Sequence, residues 1–216
     1  MKPTTIYRLT VLSSVLALGG FSRSANAATL LSIDFTTSSS TVEAGFVGQS
    51  ADNINHTTTA GDINVSFTNE TGFFTRGEGT TVTSLHDDFV YRNSGATMTL
   101  VLSGPGISAS TAYELTFWAF DGNSAANQTF TGVSGTVGSA AISFTSANKR
   151  SDLTGNRDMQ TFTSNSSGVI TIDITKTNFT SGDGPRLNGL VIAAIPEPSA
   201  ALLGCLGMLA LLRRRR

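Results

Sequence analysis

This chain of 216 residues predicts an all-β fold, and three observations carry that expectation. From residue 28 to residue 194 the apolar side chains alternate with polar ones instead of recurring every third or fourth position. Threonine, serine, glycine and asparagine dominate the same span, and charged residues are only 13% of the chain. Gly, Asn and Ser turns separate the alternating runs at intervals that suit a β-sandwich, jelly-roll-like in its spacing. The span suits one domain with a sizeable core.

The strands follow in order. Thr29 to Thr36 opens the domain. Asp62 to Asn69 places Ile63, Val65 and Phe67 on one face, and Phe89 to Arg92 follows the acidic turn at Asp87 and Asp88. Thr97 to Ser103 turns Met98, Leu100 and Leu102 inward. Thr111 to Phe120, Thr136 to Thr145 and Asp158 to Thr163 come next. Gly168 to Thr177 sets Ile170, Ile172 and Ile174 opposite Thr171, Asp173 and Thr175, and Leu187 to Ala194 closes the set. Heptads and tandem repeats are absent from the sequence.

Both ends read as addressing segments. Lys2 and Arg8 form a positive start, Leu9 to Phe21 an apolar run, and Ala25-Asn26-Ala27 a small-residue site with cleavage expected before Ala28, the pattern of a secretory signal peptide over residues 1–27. An uncleaved anchor competes with that reading, but Gly19-Gly20 and the polar stretch Ser22 to Ala27 break the helix where a cleavage site needs extended chain. At the other end Pro196-Glu197-Pro198 precedes an uncharged run, Ser199 to Leu212, and then Arg213, Arg214, Arg215 and Arg216. Each proline fixes its φ and holds the residue before it extended, which leaves the motif accessible. The apolar run, about fourteen residues or about 21 Å of helix, is short for a ~30 Å hydrocarbon core. Arginine snorkelling and local thinning close that gap, and the cationic tail holds the C-terminus in the cytoplasm. A soluble C-terminal helix is the competing account.

Those residues, in that order at the terminus, resemble the PEP-CTERM sorting signal, also described as the ice-binding protein C-terminal domain. The resemblance covers about Ala194 to Arg216. It implies a Gram-negative exopolysaccharide producer, passage through the export machinery, recognition of Pro196, Glu197 and Pro198 by an exosortase-type membrane protease, a transient membrane anchor, and delivery to the cell surface or the extracellular matrix of a biofilm. A second resemblance lies in the body. Asp88-Phe89-Val90-Tyr91, Leu100-Val101-Leu102, Gly104-Pro105-Gly106, Tyr113 to Asp121 and Leu187-Asn188-Gly189-Leu190 look like the strand order of galactose-binding-like jelly rolls. It implies a fold, sugar binding only by analogy, and a structural calcium of the kind common in such modules.

Charge and chemistry narrow the function. The body carries roughly two acidic residues for each basic one, which disfavours a nucleic-acid partner. The one cysteine, Cys205, lies in the apolar tail, so stability rests on sheet packing without an intramolecular disulfide. Neither a nucleophile elbow nor a zinc-protease motif is written in the chain, and Asp87 and Asp88 are adjacent, so in a strand they face opposite ways; the expectation is no catalytic residue, with a matrix glycoside hydrolase as the least favoured reading. His86, Asp87 and Asp88 form the densest set of nitrogen and oxygen donors. Calcium suits them best, and a solvated turn explains them without any ion.

Trp118 is expected to share a strand face with Glu114, Thr116 and Phe120. A flat aromatic beside hydrogen-bonding groups is what a pyranose ring requires, while packing under a second layer would explain the same residue as core. Arg76 and Arg92, scarce cations in an acidic body, are further ligand candidates that a neighbouring carboxylate could equally claim. An ice-binding reading needs ranks of threonines that the strands do not repeat, and the sequons at Asn69, Asn127 and Asn178 are matches expected by chance in so Asn- and Thr-rich a chain. Two functions therefore compete for the body: a structural or adhesive sandwich, and a carbohydrate-binding module using Trp118 on an extracellular polysaccharide.

Overall fold

The computed structural model describes residues 27–76, 83–145, 152–177 and 183–196. Residues 1–26, expected to belong to a signal peptide with Ala25 at its cleavage site, and residues 197–216, which hold Glu197, Pro198 and the four arginines of the expected sorting signal, lie outside the described residues, as does Asn178. Among the described residues no helix is long and apolar enough to cross a membrane.

The strands in chain order are β1 (Ala28–Phe35), β2 (Val47–Gln49), β3 (Ile54–His56), β4 (Ile63–Thr68), β5 (Gly72–Thr75), β6 (Asp88–Tyr91), β7 (Thr97–Ser103), β8 (Ala112–Trp118), β9 (Ala126–Val133), β10 (Ser139–Phe144), β11 (Arg157–Thr163), β12 (Ile170–Thr177), β13 (Arg186–Leu187) and β14 (Gly189–Ala194), with one helical turn, α1 (Ser84–Asp87), ahead of β6. A five-stranded sheet runs β11-β8-β14-β1-β2 and a six-stranded sheet β10-β9-β12-β7-β4-β3. Pairing is antiparallel except between β1 and β2.

The two sheets pack face to face, and the alternation read from the sequence chooses the inner faces. Ile63, Val65 and Phe67 of β4, Met98, Leu100 and Leu102 of β7, and Ile170, Ile172 and Ile174 of β12 are buried opposite Ile33, Phe35, Leu115, Phe117, Leu190 and Ile192 of the other sheet. Phe117 stacks on Phe130 across the gap with ring centroids 4.5 Å apart, and Phe35 meets Phe67 edge-on at 5.2 Å. Each such side chain contributes about 1.5–3 kcal/mol by leaving water. The all-β sandwich is therefore present.

Three expectations need correction. The strand from Thr111 stops at Trp118, so Phe120 leaves the outer face and turns into the core against Phe144, at 5.9 Å. The strand expected from Thr136 begins at Ser139, because Val137 instead bridges Thr163 and Gly138 takes a positive φ of 146°. The run from Leu187 divides: Leu187 pairs with Val90 of β6, while β14 starts at Gly189.

Asn188 makes that division. Its backbone N–H donates to Trp118 O at 2.9 Å and its carbonyl accepts from Phe35 N at 2.9 Å. Its side-chain Oδ1 accepts from Phe120 N at 2.5 Å, and Nδ2 donates to Asp88 O at 2.7 Å. Every polar group of a fully buried asparagine is thus used, which pins the small third sheet, β13-β6-β5, to the end of the sandwich.

Candidate functional site

The third sheet has an apolar and a polar side. Alternation turns Phe73, Val90 and Leu187 towards the core and Phe74, Phe89, Tyr91 and Arg186 the other way. Phe74 lies opposite Phe89 in the register, and their rings stack at 5.7 Å with 28° between planes, while Tyr91 stands edge-on to both at 6.0 and 5.9 Å. Phe89 is buried; Phe74 keeps 39% of its surface in solvent, one of few large apolar side chains to do so.

Two guanidiniums lie over these rings. Arg76 sits 5.0 Å from the Phe74 centroid and 5.6 Å from that of Phe89, and Arg186 lies 5.4 Å from Phe89. Both hold Asp121. Arg76 binds it as a fork, Nε to Oδ1 and Nη2 to Oδ2, each at 2.7 Å, and Arg186 Nε approaches Oδ2 at 2.5 Å. Burial alone would raise the Asp121 carboxyl; the Arg76 hydrogen bonds and the Arg186 charge outweigh it and hold the group below the usual carboxylate range.

A second polar layer fixes Arg186 from behind. Its Nη1 donates to Asp183 Oδ1 at 2.8 Å and Gly184 O at 2.9 Å, and its backbone is clasped by Gln128, whose Oε1 accepts from Arg186 N at 2.6 Å and whose Nε2 donates to Arg186 O at 3.0 Å. Gln128 and Lys176 are cross-strand partners at inward positions of β9 and β12, and the Lys176 ammonium pairs with Asp183 Oδ2 at 2.5 Å. Burial raises the Asp183 carboxyl, and Lys176 and Arg186 together bring it below its ordinary value. Above this network opens a recess of about 180 Å³ lined by Phe74, Arg76, Phe89, Tyr91, Asn93 and Arg186.

Of the expected ligand residues, the recess receives Arg76 alone. Arg92 turns away and donates from Nη1 to Thr97 O at 2.6 Å. Glu114 is half-buried on the outer face of β8, as alternation requires. Trp118 shares that face but is only 4% exposed, because its indole donates to Leu153 O at 3.0 Å and Phe46 covers it edge-on at 5.8 Å. Trp118 as an exposed sugar platform is corrected accordingly: the ring is packed beneath loops. The solvated turn expected at His86, Asp87 and Asp88 is corrected too. His86 is buried against Thr83 Oγ1 at 2.8 Å and Phe120 at 5.8 Å, and Asp88 is buried with Oδ2 accepting from Thr36 Oγ1 at 2.8 Å. These three do not converge, and among the described residues no group of three His, Cys, Asp or Glu side chains is placed to hold a metal ion. Of the terminal residues, Ala27 and Pro196 lie just outside the sheet and Ala28 begins β1.

No family model matches the chain, and no curated protein does. Among solved structures it is similar to a family 35 carbohydrate-binding module from Clostridium thermocellum, at 18% identity and a TM-score of 0.35, over 66% of this chain and 98% of that one. It is also similar to the family 35 module of Cellvibrio japonicus Abf62, at 17% identity and a TM-score of 0.36, over 62% and 86% of the two chains. The P-domain of Macrobrachium rosenbergii nodavirus, at 16% identity and a TM-score of 0.32, covers 61% of this chain and 91% of its own. Likenesses this loose transfer neither a residue nor a ligand.

Sequence reading overlooked Arg186, Asp121, Phe74 and Phe89. A usable signal existed for Arg186: a cation directly ahead of the apolar run from Leu187, with Asp183 three residues before it. Nothing local marks Asp121 as its partner, since the two lie far apart in the chain.

Proposed function

We propose that this is an exported cell-surface or exopolysaccharide-matrix protein, released from a signal peptide before Ala28, sorted through a PEP-CTERM signal by an exosortase-type protease, and serving through its β-sandwich as a structural or adhesive component. The order Pro196-Glu197-Pro198, uncharged Ser199 to Leu212, then Arg213 to Arg216 carries the reading. The register is compatible with it: Ala28 pairs with Ala194, so the first and last residues of the two outermost paired strands lie side by side.

The test is mass spectrometry of the C-terminus of the exported protein. A chain ending near Glu197 is expected, and extracellular protein that retains its arginines would reject processing. Changing Pro196, Glu197 and Pro198 together to alanine should leave the protein cell-bound.

The recess favours a second reading, carbohydrate binding by the same body. The exposed ring of Phe74 offers the apolar platform that Trp118 does not, with polar groups at its edge.

A further inference from the structure

We propose that the outer face of the six-stranded sheet binds ice, presenting an uncharged lattice of hydroxyls and methyls to the crystal surface.

No single strand repeats its threonines in ranks; the register assembles them across strands. Thr129 of β9 lies beside Thr175 of β12, and Thr175 beside Thr97 of β7. The next row is Thr131, Asp173 and Thr99, and the row beyond it Val133, Thr171 and Val101. Each of these alternates with the buried residues of its strand, so all share the outer face, and Thr129 and Thr131 are exposed. Rows lie about 6.8 Å apart along the strands, and neighbours within a row about 4.8 Å apart across them. The oxygens of ice repeat on closely similar spacings along its a and c axes. Sheet twist restricts such a match to a few adjacent strands, which β9, β12 and β7 supply.

The side chains are also set in advance. Apart from Asp173 every position in these rows is β-branched and therefore stiff about χ1. Neighbours fix one another too: the Thr97 and Thr175 hydroxyls are 3.0 Å apart, and Thr99 Oγ1 donates to Asp173 Oδ1 at 2.7 Å. A hydroxyl held in this way keeps hydrogen-bonding capacity for ordered water.

The composition of the face disfavours other partners. Sugar platforms and protein interface cores are built on aromatic side chains, and these rows contain none. A charged partner needs charges, whereas Asp173 is the only one here and is tied to Thr99. Ser66 and Thr68 of β4 and Ser139 and Ala141 of β10 extend the face, again without charge. Ordinary globular chains are about 25% charged, with those residues at the surface, so the depletion is a property of this face. It complements a neutral, ordered lattice of water.

The full-chain protein should slow ice recrystallisation and hold a gap between the melting and freezing points of a seeded ice crystal. Thr129→Tyr breaks the rows at an exposed position and should raise the concentration that halves the recrystallisation rate at least about tenfold, with an unchanged melting temperature. Thr161→Tyr, at an exposed outer position of β11 in the other sheet, should match the wild type. Asp173→Thr completes its row and should lower the halving concentration, a gain that misfolding does not produce. If Asp173→Thr fails to fold, the other two variants still decide. A wild-type protein without effect on ice overturns the proposal. Indifference to Thr129→Tyr, or an equal loss in Thr161→Tyr, also overturns it, because ice would then meet another surface. The readings of export and of the recess stand apart from every one of these outcomes.

Discussion

Asp121 and Asp34 are both fully buried aspartates of the same sandwich, and their surroundings drive them in opposite directions. Asp121 lies between Arg76 and Arg186 and is held below the usual carboxylate range. Asp34, on β1, has no cation beside it among the described residues. Its Oδ2 accepts from Glu43 N at 2.7 Å, its Oδ1 has no hydrogen-bond partner, and burial, reinforced by the charges of Asp88 and Glu43, pushes its carboxyl up to about 7. Asp88 is raised as well, by burial first, against the opposing hydroxyls of Thr75, Thr36 and Ser40. Equal burial thus yields a rigid ion-pair network at one place and a titrating pair at another. What differs is the supply of counter-charge. Asn188 stands between them, holding Asp88 O with one end of its amide and the N–H next to Asp121 with the other.

Removing the counter-charge at the matched site should have the largest effect. Asp121→Ala leaves Arg186 buried with one of its two carboxylate partners and takes the carboxylate fork from Arg76, and breaking a buried pair in this way costs about 3–5 kcal/mol. The urea midpoint should fall accordingly, and the recess should lose its positioned arginines. A midpoint within error of the wild type would mean that the network contributes little to the fold.

The unmatched site should announce itself through pH. Because the folded-state pKa of Asp34 lies above its unfolded value of 3.8, the folded chain keeps a proton that the unfolded chain releases between pH 3.8 and about 7. Stability from this group is therefore complete below that window and declines as pH rises through it, by roughly 4 kcal/mol at 1.36 kcal/mol per pKa unit. Asp121, with its lowered pKa, acts in the other sense, losing stabilisation only as pH falls below the ordinary carboxylate range. Asp34→Asn should raise stability at pH 8 and flatten the decline between pH 4 and 7, read as urea midpoints at pH 5 and 8. Identical wild-type midpoints at the two values would dismiss the titrating site.

The contrast also explains what could be read in advance. Strands β4, β7 and β12 were legible because three apolar residues at alternate positions leave one choice of inner face. Strand β9 was not, since its inward positions hold Ala126, Gln128 and Phe130, and glutamine is a core residue only because Arg186 satisfies both ends of its amide. Trp118 was placed on the correct face, yet its covering layer comes from Phe46 and Leu153, neither near it in sequence. Arg76 was singled out as a scarce cation, but Asp121 and Arg186 gain their meaning from contacts between β5, β13 and the loop after β8. Alternation is a local property and survives in the sequence; charge pairing across sheets is not.

Lys176 tests how much of the matched network is structural. It occupies the position after Ile170, Ile172 and Ile174 on the inner face of β12, where the pattern calls for an apolar residue, and among the described residues its ammonium reaches only Asp183. Asp183 is partly exposed and keeps Arg186 as a partner without it, so no isolated buried charge results from Lys176→Met. Methionine fills a similar volume and escapes the desolvation cost of the ammonium, and exchanges of this kind are commonly neutral or stabilising. The expected change in stability is within about 1 kcal/mol, far from that of Asp121→Ala. A loss as large as the Asp121 variant's would mean that Lys176 is needed to keep Asp183 ionised, and that the network works as a single charged unit without Asp121 as its centre.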